Sequence, residues 1–204
     1  GYSQEYLKLS GLIKRSENKN SFYDLLRRRL VFPIIHYNGD IVGFAGRILD
    51  DSLPKYLNTP ETELFSKRKV LYGLFQARDS IRQTNEAIIV EGYMDCIKLQ
   101  QLGINNVVAT MGTALTSEQA RLLKRYCEKV LLLYDGDEAG QRETIRALEI
   151  MANEGLKMSV VSLPMGEDPD DYIEKHGKEE LLRYIQNNKL SNIEFKINRY
   201  LSQE

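Results

Sequence analysis

From Glu86 to the C-terminus short apolar runs alternate with helical patterns, and this alternation limits the fold more than any other feature of the chain. Ala87–Glu91, Asn106–Thr110, Lys129–Asp135 and Met158–Leu163 read as strands. Tyr93–Leu102, closed by Gly103, and Ala139–Glu154, closed by Gly155, carry helical spacing. Thr116 with Gln119 forms a capping-box signature for a helix to about Tyr126. Asp168-Pro169 suits an N-cap followed by proline at the first helical position, and Ser191 with Glu194 opens a last helix. Apolar strands separated by helices predict a parallel sheet covered on both faces.

Acids stand at the carboxyl ends of these strands. Glu91 ends the first, Asp135 the third with Asp137 two residues on, and Asp168, Asp170 and Asp171 follow the fourth. Open α/β sheets bind their ligands at this edge. Carboxylates from three loops repel one another until a cation relieves them, and oxygen donors without His or Cys select Mg²⁺ or Mn²⁺. In Asp135-Gly-Asp-Glu-Ala-Gly140, Gly136 lets the backbone turn so that both Asp side chains face one ion. Gly140 permits close approach where the helix starts. The competing reading is that these acids cap the helix and favour its dipole; Glu91 and the run Glu167–Asp171 on the same edge weigh against it. The twelve-residue spacing of a calcium hand is missing, and Glu91-Gly-Tyr-Met-Asp95 has one glycine where a dinucleotide fingerprint needs three.

The first part reads as a small α+β unit. Val31–Tyr37 and Asp40–Ile48 flank Asn38-Gly39, a strong hairpin signal. A polar loop spans Asp50–Glu63, with Pro54 and Pro60 excluding regular helix, and Leu71–Ile81 reads as a helix. Residues 1–85 carry 14 Lys and Arg against 9 Asp and Glu, and residues 86–204 carry 14 against 20. A basic half beside an acidic one suits a polyanion on one part and cations on the other.

Of the 204 residues 42% are hydrophobic, enough for a core, and no apolar run approaches the roughly 20 residues of a membrane span. The N-terminus has no signal-peptide layout and begins Gly1-Tyr2 rather than with Met, which suggests a piece of a longer chain. Cys96 and Cys127 stand far apart, beside only two histidines, so they read as buried thiols of a reducing cytoplasm and give no zinc spacing.

Val90-Glu-Gly-Tyr-Met-Asp95, Asp135-Gly-Asp-Glu-Ala-Gly140 and Gly166-Glu-Asp-Pro-Asp170 resemble the Toprim signature in the form found in bacterial replicative primases of the DnaG type. Phe32-Pro-Ile34, Val42–Arg47, Pro54–Thr62 and Lys69–Gly73 resemble that family's basic subdomain, so the likeness spans nearly the whole chain. It implies a Toprim-type α/β fold: a parallel sheet flanked by helices (residues 85–175), preceded by a small α+β basic subdomain (1–84) and followed by C-terminal helices (176–204). It implies DNA-dependent RNA primer synthesis from ribonucleoside triphosphates on a single-stranded DNA template, by a two-metal mechanism, in the bacterial cytoplasm at the replication fork. Zinc belongs to an N-terminal ribbon and the replicative helicase to a C-terminal domain, both outside this sequence. The fragment is expected to be monomeric, with no membrane partner.

Residue by residue, the resemblance carries the metal ligands onto Glu91, Asp135 and Asp137, with Asp168 and Asp170 as a second acidic position and Asp95 in support. It carries nucleotide and template binding onto Arg47, Lys55, Asn58 and Lys67, with Arg27 and Arg29 on the basic ridge and Tyr56 stacking on a base or ribose. Arg28 and Lys14 read as solvated charges, and Tyr72 and Phe75 as core. The chemistry is coherent without the likeness: cations activate a 3′-hydroxyl and the leaving pyrophosphate, Arg and Lys neutralise the triphosphate, and no side-chain nucleophile is needed. Rival readings are a Toprim nuclease, a topoisomerase fragment, a phage-type primase–helicase, and a nucleic-acid scaffold with a degenerate site.

Overall fold

The computed structural model describes residues 1–16, 21–50, 52–135 and 138–201, with the side chains of 138 and 139 outside the description. The chain divides into two compact units, Gly1–Val70 and Leu71–Glu204.

In the first unit, α1 (Gln4–Leu9) is N-capped by Ser3 and precedes a two-stranded antiparallel pair, β1 (Ile13–Arg15) and β2 (Phe22–Asp24). The Asn38-Gly39 hairpin forms as read, between β3 (Arg29–Ile35) and β4 (Ile41–Ile48). The polar loop after it differs from its reading as irregular chain: Tyr56–Asn58 is a third strand, β5, paired with β4 through Arg47↔Tyr56 and Ala45↔Asn58. Between its prolines the loop has one open β4 edge to pair with, and Thr59 fastens the junction. Thr59 is fully buried; its hydroxyl accepts from the Phe44 N–H at 2.8 Å and donates to the Phe44 carbonyl at 3.0 Å. Ile34, Ala45 and Phe65 form the dry interior, and a Cβ on Gly43 would stand 3.2 Å from the Phe65 ring.

The second unit opens on α2 (Leu74–Thr84), three residues later than the periodicity suggests. Tyr72 makes an antiparallel bridge to Ala109 and Gly73 is left-handed at φ 79°, so the helix cannot begin before Leu74. Then follow β6 (Glu86–Val90), α3 (Tyr93–Gln101), β7 (Val107–Ala109), α4 (Ser117–Lys124), β8 (Lys129–Tyr134), α5 (Glu138–Asn153), β9 (Lys157–Ser162), α6 (Pro169–His176), α7 (Lys178–Asn188), β10 (Leu190–Ser191) and α8 (Asn192–Leu201). The sheet order is β10-β9-β8-β6-β7, parallel except for β10, which pairs antiparallel with β9. The sheet is therefore mixed and mostly parallel, the two-residue β10 being too short to carry a sequence signal. Helices α2 and α3 pack on β6 or β7, and α5 on β8 and β9. The capping boxes at Thr116/Gln119 and Ser191/Glu194 form as read. Leu99, Val107, Leu131, Leu133 and Val161 are essentially dry, in line with fully buried parallel strands. No helix among the described residues is long and apolar enough to cross a membrane.

Candidate metal and nucleic-acid sites

Each acid sits where a strand hands over to a helix. Glu91 lies between β6 and α3, Asp135 directly after β8, and Asp168 between β9 and α6. Because β6, β8 and β9 are parallel neighbours, all three reach the same edge of the sheet. One carboxylate oxygen of Glu91, Oε1, is buried.

Asp95 binds this edge together. It is only 7% exposed, one turn into α3, and its Oδ2 accepts from the Gly92 N–H at 3.2 Å. Its carboxyl is pushed up to about 7, first by burial and then by the charges of Asp168 and Asp135, while the backbone N–H groups of Asp170 and Gly92 pull it back. The carboxylate thus holds backbone donors at the starts of both α3 and α6. Asp170 is tied to α3 a second time, through an ion pair with Lys98 at 3.3 Å. Asp168 caps α6, accepting from the Asp171 N–H at 2.7 Å. Sequence spacing marks Asp95 only as a supporting residue; its part in joining two helix starts depends on α6 folding back beside α3, which spacing does not reveal.

Among the described residues no three carboxylate, histidine or cysteine side chains close round one point. Asp137 and Gly136 lie outside the described residues, and Gly140 is buried at the start of α5. Glu91, Asp135 and Asp168, which reach this edge, offer carboxylate oxygens only, the donor type that fits a hard divalent cation.

The crowding has a measurable consequence. A carboxyl raised in the folded state keeps its proton to higher pH than in the unfolded chain. The contribution of Asp95 to stability therefore falls as pH rises from near 4 through about 7 and levels off above. Asp95→Asn retains an acceptor for the Gly92 N–H and carries no charge. Its melting temperature is expected to decline less across that window, and thermal melts at pH 4, 5.5, 7 and 8 check this; a decline equal to that of the unsubstituted protein would contradict it.

The basic positions of the first unit fall into two kinds. Arg47 and Tyr56 are cross-strand partners, and the guanidinium lies over the ring at 5.7 Å from its centroid. Asn58 stands two residues along, on the same face of β5 as Tyr56, and Lys55 is exposed just before that strand. Arg27 is exposed and stacks over Tyr23 at 4.4 Å. Arg29 is different: its guanidinium donates to the carbonyls of Gly46 (3.1 Å), Lys55 (3.3 Å) and Pro54 (2.9 Å). It braces the chain around Lys55. The amide of Lys67 donates to Glu61 at 2.9 Å, closing the turn that carries its side chain.

An α/β edge of this kind, with carboxylates ending three neighbouring parallel strands, defines a Toprim-like protein. Residues 88–173 match the Toprim-like family model, and residues 1–78 match the model of the DNA primase catalytic core, N-terminal domain. A DNA primase of Clostridium acetobutylicum is 50% identical over 200 residues, covering 98% of this chain and 33% of that protein. A DNA primase domain from Pseudomonas aeruginosa superposes with a TM-score of 0.92 at 37% identity, over 100% of this chain and 65% of that one. A DnaG primase catalytic domain bound to ssDNA superposes at 0.88 and 37% identity, over 98% and 64%. The chain belongs to the family of DnaG-type bacterial DNA primase catalytic cores. It spans about one third of the length of the curated relatives it matches.

Proposed function

We propose that this chain is the part of a bacterial primase that joins ribonucleotides on a single-stranded DNA template. The arrival of Glu91, Asp135 and Asp168 at one sheet edge, with Asp135 and Asp168 near enough to act on the buried Asp95, carries the reading. Supporting it are the primase relatives and the likeness to a primase domain bound to ssDNA.

Glu91, Asp135 and Asp137 would hold Mg²⁺ or Mn²⁺, with Asp168 and Asp170 as a second position. Such cations, taken as a pair, supply activation of the attacking 3′-hydroxyl and neutralisation of the departing pyrophosphate. The protein's own share is preorganisation. Asp95 and Lys98 fix the α6 loop against α3, so the acids need not be gathered at the moment of reaction. Arg47, Lys55 and Lys67 neutralise phosphates of nucleotide or template, Tyr56 and Asn58 contact the sugar or base, and Arg27 extends the basic surface. Arg29 positions the Lys55 segment. The zinc ribbon and the helicase contact would lie on other parts of the full-length relatives, and the reaction would take place at the replication fork in the cytoplasm.

Incorporation of labelled ribonucleotides on single-stranded DNA, with Mg²⁺ or Mn²⁺ and with EDTA, tests the reading. Metal-dependent extension is expected; cleavage of the template in its place would favour a Toprim nuclease. Lys55→Ala or Arg47→Ala should weaken single-strand binding with little change in melting temperature. Each should lower the slope of log affinity against log salt by roughly 0.7, one phosphate contact. Fluorescence anisotropy at several salt concentrations measures this, and unchanged slopes would make both residues ordinary surface charges.

A further inference from the structure

Beside Glu91, on the side of β7 and β8, lies a cavity of about 240 Å³. Glu91, Thr110, Gly112, Thr113, Tyr134 and Glu143 line it. The described lining residues include no cation, so the cavity does not suit a phosphate. Its polar groups are oxygens, and they are differentiated. The Thr113 hydroxyl donates to the Thr110 carbonyl at 2.9 Å, which leaves its lone pairs as acceptors. Glu143, half-buried on α5, is an acceptor too. Tyr134, 3% exposed, adds a phenol hydroxyl to the lining.

The turn that brings Thr113 here is unusual. Met111 and Gly112 are consecutive left-handed residues at φ 65° and 72°, and Met111 is anchored in the core at 2% exposure. A non-glycine residue is seldom held in that region, and such outliers concentrate at functional sites. Neutral hydroxyls are the chemistry that the Thr113 and Glu143 acceptors and the Tyr134 donor recognise in so small a space. Resting on the nucleotide reading above, we infer that this cavity is a ribose subsite, in which Thr113 and Glu143 accept hydrogen bonds from the sugar hydroxyls and so favour ribo- over deoxyribonucleotides. A site built to bond a hydroxyl leaves its own buried groups unpaired when the hydroxyl is missing, and discriminates on that account.

Isothermal titration of ATP and 2′-dATP into the 204-residue chain with Mn²⁺ tests the assignment. The protein is expected to prefer ATP by about tenfold, the worth of one hydrogen bond to a charged acceptor. Glu143→Ala should bring the ratio close to one with dATP affinity and melting temperature retained, and Thr113→Val should narrow it. Glu143→Gln, which keeps an acceptor, should restore part of it. The diol of a primer's 3′ end has the same chemistry, and ApA against dApdA, titrated in parallel, tells which sugar is held; discrimination on either supports the subsite. Equal loss of both nucleotides together with weaker Mn²⁺ binding in Glu143→Ala would make that residue a cation ligand and overturn the inference. An unchanged ratio would overturn it as well. A protein that binds neither nucleotide would sink the nucleotide reading too, whereas one that binds ATP and dATP alike, and ApA and dApdA alike, sinks the ribose subsite alone.

Discussion

Asp135→Asn is expected to reduce ribonucleotide joining by about a hundredfold or more. A bound cation stabilises transition-state charge by several kcal/mol, and each ~1.4 kcal/mol is a factor of ten. The substitution keeps the size of the side chain at the end of β8 and removes one of the charges that crowd Asp95. The loss should therefore come with no loss of folded protein. Single-turnover extension of a primed template, with circular dichroism as the control for folding, measures both. Activity within threefold of the unsubstituted chain would remove Asp135 from the machinery.

The largest effect on stability is expected at Leu99. This α3 side chain is fully buried in the cluster that includes Val90, Val107, Leu131 and Tyr172. Truncation to alanine removes apolar contact and leaves a cavity behind rigid strands, a loss of about 3 kcal/mol. For a chain of this size that corresponds to roughly 10 °C in melting temperature. Since α3 also carries Asp95 and Lys98, the acidic edge should loosen with it. Calorimetry checks the first point. A fall of under 2 °C would mean that the interior around α3 adapts freely, at odds with its packing on dry parallel strands.

How much of this was legible in the sequence varies with scale. The α/β alternation was, because parallel strands buried on both faces must be apolar throughout, and Ile88–Val90 and Val130–Leu133 carry no other signal. The helix starts at Ser117, Pro169 and Asn192 were legible because a cap is a local bargain between one side chain and its own backbone. The three-residue strands β1, β2 and β5 were not, since their pairing depends on partners elsewhere in the chain.

The same holds for the sites. Acids at strand ends can be placed on one edge by topology alone. The brace that Arg29 forms with three carbonyls, the link from Asp95 to the start of α6, and the approach of Glu143 to Glu91 belong to residues far apart in sequence. Glu143 had one available signal, its position in the second turn of the helix that follows the Asp-Gly-Asp motif.

The central claim is that the strand-end carboxylates exist to hold divalent cations, and melting temperature against Mn²⁺ concentration tests it most directly. The unsubstituted chain should melt progressively higher as Mn²⁺ is added, because the ion relieves repulsion present in the folded state alone. Asp135→Asn and Asp137→Asn should melt at an equal or higher temperature without metal and respond weakly to it. If these acids merely cap α5, asparagine serves about as well as aspartate, and the substituted proteins would follow the parent. A parent indifferent to Mn²⁺, or variants that respond as strongly as the parent does, would contradict the account.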